Sequence, residues 1–258
     1  MTNPIIECGD NADGKKEEKN ELVFSYLTLR NLIGFSGIFL PLILAIAPKG
    51  TAKYYGFEAS ISDYFYTDRG DILVVVLCIQ GAFLITYTGY CWKEQLLTLI
   101  AGICSIGVAF VPTETEQLQY ELSVHTTNGG VLGFMIGTAW HIAFAAIFLI
   151  CLAMMSLVFF TKSSEKGDHK LRDGKLSKKG KRNIVYKVCG WTIIASLVIL
   201  GLYFTFDPDL GKFPVVFALE SLAVIAFGIS WITKGETLWP DDTHYIIKGI
   251  EKVKTMLK

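Results

Sequence analysis

The sequence predicts an all-α fold: a polytopic membrane protein built as a bundle of six transmembrane helices. Hydrophobic residues make up 52% of the 258 residues, and the charged residues, 19% of the chain, cluster between long apolar runs. Each of six runs is close to the roughly 17–25 residues that a helix needs to cross a hydrocarbon core ~30 Å thick. Backbone groups in lipid must be satisfied within the segment, so each run is predicted to be helical. The six runs are 31–47, 71–90, 96–111, 138–161, 186–206 and 214–233.

The distribution of charge predicts the orientation of these helices. If the N-terminus is cytoplasmic, 20 of the 24 Lys and Arg residues fall on the cytoplasmic side, in agreement with the positive-inside rule. Nine carboxylates fall on the outer side. Both termini are therefore expected in the cytoplasm, with the helices in a bacterial cytoplasmic membrane. None of the six cysteines falls in a predicted outer loop, so structural disulfides are not expected.

Composition divides the chain into three parts. Residues 1–20 are polar and of mixed charge, which predicts a disordered cytoplasmic tail. Residues 21–235 form the predicted six-helix domain. Residues 236–258 carry an apolar stripe opposite several lysines, which predicts an amphipathic helix on the inner leaflet.

The charge pattern also indicates the partners. The formal net charge of zero argues against a nucleic-acid partner. A basic linker between the fourth and fifth runs is expected to contact anionic lipid. Its most concentrated basic residues are Lys178, Lys179, Lys181 and Arg182. Membrane lipids are thus the expected partners, and a homo-oligomer is left open.

Features within the runs predict how the helices begin and pack. Gly34 and Gly37 in the first run are small enough to let another helix approach closely. Asp71 stands at or near the N-terminus of the second helix, where capping and the helix dipole favour a carboxylate. The short turn 91–95 predicts that the second and third helices are antiparallel neighbours. Pro214 suits the first turn of the sixth helix.

Two ionisable side chains are predicted to enter the outer half of the bundle. His141 is the only histidine within a run, and Glu220 is the most deeply placed carboxylate. Ionisable groups inside a membrane are costly and face the protein interior or water, so they are candidates for function. Topology puts the polar loop 60–71 on the same side. The loop residues expected to join this pocket are Ser60, Ser62, Asp63, Tyr66 and Asp71.

The predicted chemistry of the pocket combines an imidazole with carboxylates. His141 can act as a general base or a metal ligand, because an imidazole exchanges a proton near neutral pH. Glu220 and Asp63 can orient the imidazole, hold a cation or act as an acid. Ser62 can be a hydroxyl donor or a nucleophile. A histidine with two carboxylates can hold zinc or another divalent cation, although the spacing matches no metal-ligand motif.

Each candidate also has a purely structural interpretation, and these stay open. His141, next to Trp140, can be an ordinary interfacial histidine, and Glu220 can be the buried partner of a backbone group. Asp71 can be a plain helix cap. Tyr66 can belong to an outer belt of aromatic residues.

Several motifs resemble a family of small bacterial multi-spanning membrane proteins whose activity is not settled. They are Ser-Ile-Ser-Asp-Tyr-Phe-Tyr-Thr at 60–67, Arg69-x-Asp71, Trp140-His141 and Leu219-Glu220-Ser221. This resemblance implies that Asp63, Asp71, His141 and Glu220 belong to one pattern. The chain is also similar to membrane hydrolases of the alkaline ceramidase and adiponectin-receptor type, which place Ser, Asp and His around a zinc. It departs from them in having six predicted spans instead of seven and no paired histidines in the last helix.

These observations lead to one expected function and two alternatives. We expect an outward-facing polar pocket that binds a lipid headgroup or a small polar ligand, with hydrolysis at this site as a further expectation. The first alternative is a proton- or cation-coupled transporter or channel component, in which His141 and Glu220 carry protons or cations. The second is a non-catalytic membrane partner subunit.

Overall fold

The computed structural model describes the chain in several stretches: 21–46, 57–89, 91–111, 113, 138–162, 177–206, 208, 211 and 213–235. Side chains are described from residue 28 onward. Three segments lie outside these ranges. They are the predicted tail 1–20, the predicted amphipathic helix 236–258 and most of the segment between the third and fourth apolar runs.

Every element in the described part of the chain is a helix, which confirms the predicted all-α class. A short 3-10 helix, Ser62–Tyr66, precedes the second long helix, and a π-helical turn, Met155–Phe159, continues the fourth. The six long helices are α1 (Glu21–Ala45), α2 (Gly70–Thr86), α3 (Trp92–Phe110), α4 (Thr138–Met154), α5 (Lys178–Phe206) and α6 (Val215–Lys234).

Among the described residues, five of the six long helices are long and apolar enough to cross a membrane. The exception is α2, which is apolar but has 17 residues, or roughly 26 Å at 1.5 Å per residue. The run predicted to reach residue 90 ends as a helix at Thr86. There the backbone becomes extended at Tyr87, whose hydroxyl meets side chains of two other helices. The protein is thus a multi-pass helical membrane bundle in which α2 is the short member.

The basic residues predicted to lie in a linker instead open α5, which begins at Lys178 and not near residue 186. With 29 residues, α5 is roughly 44 Å long, whereas the hydrocarbon core is only ~30 Å thick. The helix can therefore extend past the apolar layer and carry its basic residues outside it. The residues concerned are Lys178, Lys179, Lys181 and Arg182.

The helices pack in chain order around a closed ring. Each contacts the helix before and after it, and α6 closes the ring by packing along α1. The predicted antiparallel pairing of α2 with α3 is confirmed, because Gly81 faces Gly102 while the hydroxyl of Ser105 bonds the carbonyl of Leu77. We call the end of the bundle that carries the 3-10 helix the Ser62 end, and the opposite end the Arg30 end.

Glycines set the closest approach between α1 and α6. A Cβ added to Gly228 would lie 2.5 Å from the carbonyl oxygen of Gly34, and one added to Gly34 would lie 2.9 Å from that of Gly228. One added to Gly37 would lie 3.2 Å from the ring of Phe227. The close approach predicted at Gly34 and Gly37 is therefore confirmed.

Candidate functional site

The 3-10 helix is fixed by its own turn. The backbone N–H of Ser60 donates to Oδ2 of Asp63 at 3.1 Å, and the N–H of Asp63 donates to Oγ of Ser60 at 3.1 Å. This reciprocal pair has the hydrogen-bond pattern of a capping box, one residue ahead of Ile61, the N-cap of the 3-10 helix. It explains why the chain turns into a helix at this point and why Ser60 is buried.

The beginning of α6 also contacts the segment that carries the 3-10 helix. The N–H of Phe217 donates to the carbonyl oxygen of Ala59 at 2.9 Å. The ring of Tyr64, which is fully buried, lies 5.7 Å from that of Phe217, centroid to centroid. Ile61 joins the same apolar cluster. The position of Ser62 is therefore set by backbone and apolar contacts on both sides of it.

The central contact of the site joins Ser62 to His141. Oγ of Ser62 lies 2.6 Å from Nε2 of His141, and both residues are buried, at 8% and 4% exposure. Nδ1 of His141 lies 2.5 Å from the carbonyl oxygen of Val111. A carbonyl oxygen can only accept, so Nδ1 carries the proton in neutral His141 and Nε2 accepts from the Ser62 hydroxyl.

The burial of His141 distinguishes the two interpretations left open by the sequence. Trp140, its neighbour in α4, is 38% exposed and points outward, whereas His141 points into the bundle. An ordinary interfacial histidine would share the exposure of Trp140. The geometry instead favours a histidine that serves a buried partner.

Asp63 adds negative charge beside this pair. Its carboxylate interacts electrostatically with both His141 and Glu220. Oδ1 of Asp63 accepts a hydrogen bond from the Thr113 hydroxyl at 3.3 Å, and the Tyr66 hydroxyl donates to the Thr113 carbonyl at 2.5 Å. Residues three apart in a 3-10 helix lie on the same side, so Asp63 and Tyr66 meet the same segment after α3.

Glu220 reaches the segment from α6. Its Oε2 accepts a hydrogen bond from the backbone N–H of Ile61 at 2.7 Å. The carboxylate therefore contacts the residue that precedes Ser62. The sequence suggested that Glu220 or Asp63 could orient the imidazole, but the contact to Nδ1 belongs to the backbone of Val111.

The remaining predicted residues lie at the periphery. Asp71 is exposed in the first turn of α2, where it can favour the helix through the dipole. Tyr66 is 41% exposed, and its hydroxyl bonds the carbonyl of Thr113. Of the predicted set, Ser60, Ser62, Asp63, His141 and Glu220 are thus brought together by direct contacts or charge.

A metal does not fit these residues. In the described ranges, no group of three His, Cys, Asp or Glu side chains is arranged to hold a metal ion. Both ring nitrogens of His141 already face hydrogen-bond partners. The zinc suggested by the likeness to membrane hydrolases therefore has no ligand set among the residues that the structure describes.

The burial of the segment also affects Tyr64, which lies outside the spanning helices. Burial raises the pKa of the Tyr64 hydroxyl above its ordinary value, and the nearby charge of Glu58 raises it further. The N–H of Glu58, which donates to that hydroxyl at 3.4 Å, acts in the opposite direction. The net effect keeps the phenol neutral.

A second polar cluster, not predicted from the sequence, lies at the Arg30 end. Nη2 of Arg30 donates to the Tyr87 hydroxyl at 2.9 Å, and that hydroxyl donates to Oε1 of Glu94 at 3.2 Å. Arg30 is 6% exposed and Glu94 2% exposed. One feature of the sequence could have indicated this cluster: residues of opposite charge stand at the starts of the first and third apolar runs.

The cysteines differ from expectation at one position. Cys91 is disulfide-bonded, although no structural disulfide was expected. The expectation rested on the redox compartment, whereas bonding depends on which thiols come close together. The other cysteines of the described ranges, Cys78, Cys104, Cys151 and Cys189, are free.

Comparisons with known proteins do not identify the function of this site. No family model, no curated protein and no solved structure matches the chain. The resemblance of its motifs to a bacterial membrane-protein family stays a prediction.

Proposed function

We propose that the protein is a membrane-embedded hydrolase in which Ser62 is the nucleophile and His141 the general base. The observation that carries this proposal is the 2.6 Å contact between Oγ of Ser62 and Nε2 of His141, with the proton of His141 held on Nδ1 by Val111. A nucleophile within hydrogen-bond reach of a base that a third group orients is the arrangement that activates a serine.

The residues present account for the proton transfers of acyl transfer. Oγ of Ser62 attacks the carbonyl carbon of an ester or amide, and its proton moves to Nε2 of His141. The resulting imidazolium keeps its Nδ1–H bond to Val111 and is stabilised by the negative charge of Asp63. It then gives the Nε2 proton to the leaving group. Water then attacks the acyl carbon and gives its proton to Nε2 of His141, which passes a proton to Oγ of Ser62 as the acyl–oxygen bond breaks and the acid leaves.

The place of the site in the bundle indicates the class of substrate. Ser62 begins the short 3-10 helix at the end of the apolar helices, and the residues before it are held against α6. Water, lipid headgroups and the upper part of acyl chains meet at this level of a membrane. A lipid or other small molecule with an ester or amide at the headgroup level is therefore the substrate class that we propose.

We further propose the orientation predicted from charge. The Ser62 end faces outward from the cytoplasmic membrane, and both termini are cytoplasmic, as the Lys and Arg asymmetry favours. The basic first turns of α5 then face anionic lipid of the inner leaflet. Fusion of a fluorescent protein that folds only in the cytoplasm to each terminus tests this, because both fusions should fluoresce.

An active-site probe tests the hydrolase proposal. A fluorophosphonate, which phosphonylates activated serines, should label the purified protein in nanodiscs at Ser62, as identified by mass spectrometry. Ser62→Ala should abolish labelling. Ser196→Ala is the matched control, because the Ser196 hydroxyl is buried in α5 and makes no hydrogen bond in the described structure. A wild-type protein that is not labelled would contradict the proposal.

One observation favours the transporter alternative. Buried polar groups also lie away from the site: Arg30 and Glu94 at the opposite end, and between the ends Gln80, whose Nε2 donates to Oγ of Ser36 at 3.0 Å. These positions form a discontinuous polar series along the bundle. Proton flux into liposomes under an imposed pH gradient tests this function. Flux in both wild type and Ser62→Ala, without fluorophosphonate labelling, would favour transport.

A further inference from the structure

Glu220 contacts the reactive segment without touching the nucleophile. Its Oε2 lies 2.7 Å from the backbone nitrogen of Ile61, the residue immediately before Ser62. One turn earlier in α6, the N–H of Phe217 donates to the carbonyl of Ala59. Two hydrogen bonds from successive turns of α6 thus hold residues on the N-terminal side of Ser62.

The Phe217–Ala59 bond joins two backbones, so no side-chain substitution removes it directly. The bond at Ile61 depends on a side chain that crosses from α6. The N–H of Ile61 would otherwise be left without this acceptor in a buried segment, which is unfavourable. Of these two hydrogen bonds, the one to Glu220 is therefore the one that a side-chain substitution can remove.

We infer that Glu220 is a positioning residue, which sets the distance between Ser62 and His141 by fixing the backbone of Ile61. This inference rests on the proposed hydrolase function. His141 is fixed through Val111 and the residues before Ser62 through α6, and the Asp63–Thr113 bond joins the two attachments. A shift of the Ser62 segment relative to α6 changes the Oγ to Nε2 distance directly.

The role requires an acceptor oxygen at the right reach and does not require a negative charge. Two conservative variants separate these properties. Glu220→Gln keeps the length of the side chain and an amide oxygen that accepts from Ile61, but it removes the ionisable carboxyl group. Glu220→Asp keeps the carboxyl group, but it shortens the side chain by one methylene, which is too much for a 2.7 Å contact.

The test measures fluorophosphonate labelling of Ser62 at several probe concentrations, giving the maximal labelling rate (kinact) and the half-saturating concentration (KI). We expect Glu220→Gln to keep kinact within about threefold of wild type. We expect Glu220→Asp to lower it by about 10- to 100-fold, because a misplacement of about 1 Å costs that order of rate. KI should change little in either variant.

A destabilised control separates positioning from general loss of stability. Gly228→Ala perturbs the α1–α6 contact far from Ser62, so it should lower the melting temperature and leave kinact unchanged below it. If Glu220→Asp is labelled at the wild-type rate, or if Glu220→Gln is the slower variant, the positioning inference is wrong and the hydrolase proposal stands. If the wild type is not labelled, both fail.

Discussion

Ser62 and His141 are separated by 79 positions in the chain, yet their Oγ and Nε2 atoms lie 2.6 Å apart. One residue stands in a short 3-10 helix ahead of α2, and the other in the first turn of α4. The contact therefore depends on the closed packing of the helices and on the attachment of residues 59–61 to α6. Substitution of either residue should also have the most direct effect on the measured rate of labelling.

Removal of the base should slow labelling without removing the nucleophile. We expect His141→Ala to lower the fluorophosphonate labelling rate by about 10²–10⁴-fold, the usual contribution of general acid–base catalysis. Added imidazole should restore part of the rate in His141→Ala and none in Ser62→Ala. Labelling of His141→Ala at the wild-type rate would contradict the assigned role.

The charge of Asp63 should matter more than its hydrogen bonds. Asp63→Asn keeps oxygen and nitrogen atoms near Ser60 and Thr113 but removes the negative charge that interacts with His141. The imidazolium that forms during acyl transfer then loses this stabilisation. We expect about a tenfold fall in kinact, equivalent to about 1.4 kcal/mol, with little change in melting temperature. Equal rates in Asp63→Asn and wild type would show that the charge is not used.

The fold and the level of the site follow from the sequence because they depend on single-residue properties. The length of apolar runs predicts the helices, and alternation across the membrane puts His141 and Glu220 at one level with the loop 60–71. Helix ends were less predictable. The second helix stops at Thr86 because Tyr87 turns toward charged partners, which no local pattern indicates.

The pairing within the site could not be predicted, for a physical reason. Val111 orients His141 through its backbone carbonyl, and every residue has a carbonyl, so its side chain gives no signal. A backbone partner for Glu220 was among the interpretations left open, but nothing in the residue pattern points to the N–H of Ile61. Arg30 and Glu94 were not predicted to be buried, because a charge is costly to bury unless a partner is known.

The cluster at the Arg30 end should contribute strongly to stability only as a pair. Arg30→Leu removes the cation that is joined to buried Glu94 through the Tyr87 hydroxyl, and we expect a loss of about 3–5 kcal/mol in the free energy of unfolding. The double variant Arg30→Leu with Glu94→Leu should recover most of it. Lys181→Leu, an exposed change in α5, is the control and should stay within about 0.5 kcal/mol. A double variant less stable than Arg30→Leu alone would contradict the pairing.

Glycine at the α1–α6 contact should be required for its size. In Gly228→Ala the new methyl would meet the Gly34 carbonyl oxygen at 2.5 Å, so the helices must separate. We expect a loss of about 1–3 kcal/mol. Gly201→Ala in α5 is the matched control, since a Cβ there meets nothing within 4 Å. It should be neutral or stabilising by up to about 1 kcal/mol, because alanine favours a helix. Thermal melts followed by circular dichroism measure both.

The burial of Tyr64 should make stability fall at alkaline pH. The pKa of its hydroxyl is raised in the folded protein by burial, so folding favours the neutral phenol. The contribution is complete below the ordinary tyrosine pKa of about 10 and is lost as pH rises through and above it. Tyr64→Phe cannot ionise, so the melting-temperature difference between wild type and Tyr64→Phe should be constant up to pH ~9 and should shift against wild type by pH ~11. Other titrating groups are shared by the two proteins and cancel. A difference that stays flat across this range would show that folding does not raise the pKa of Tyr64.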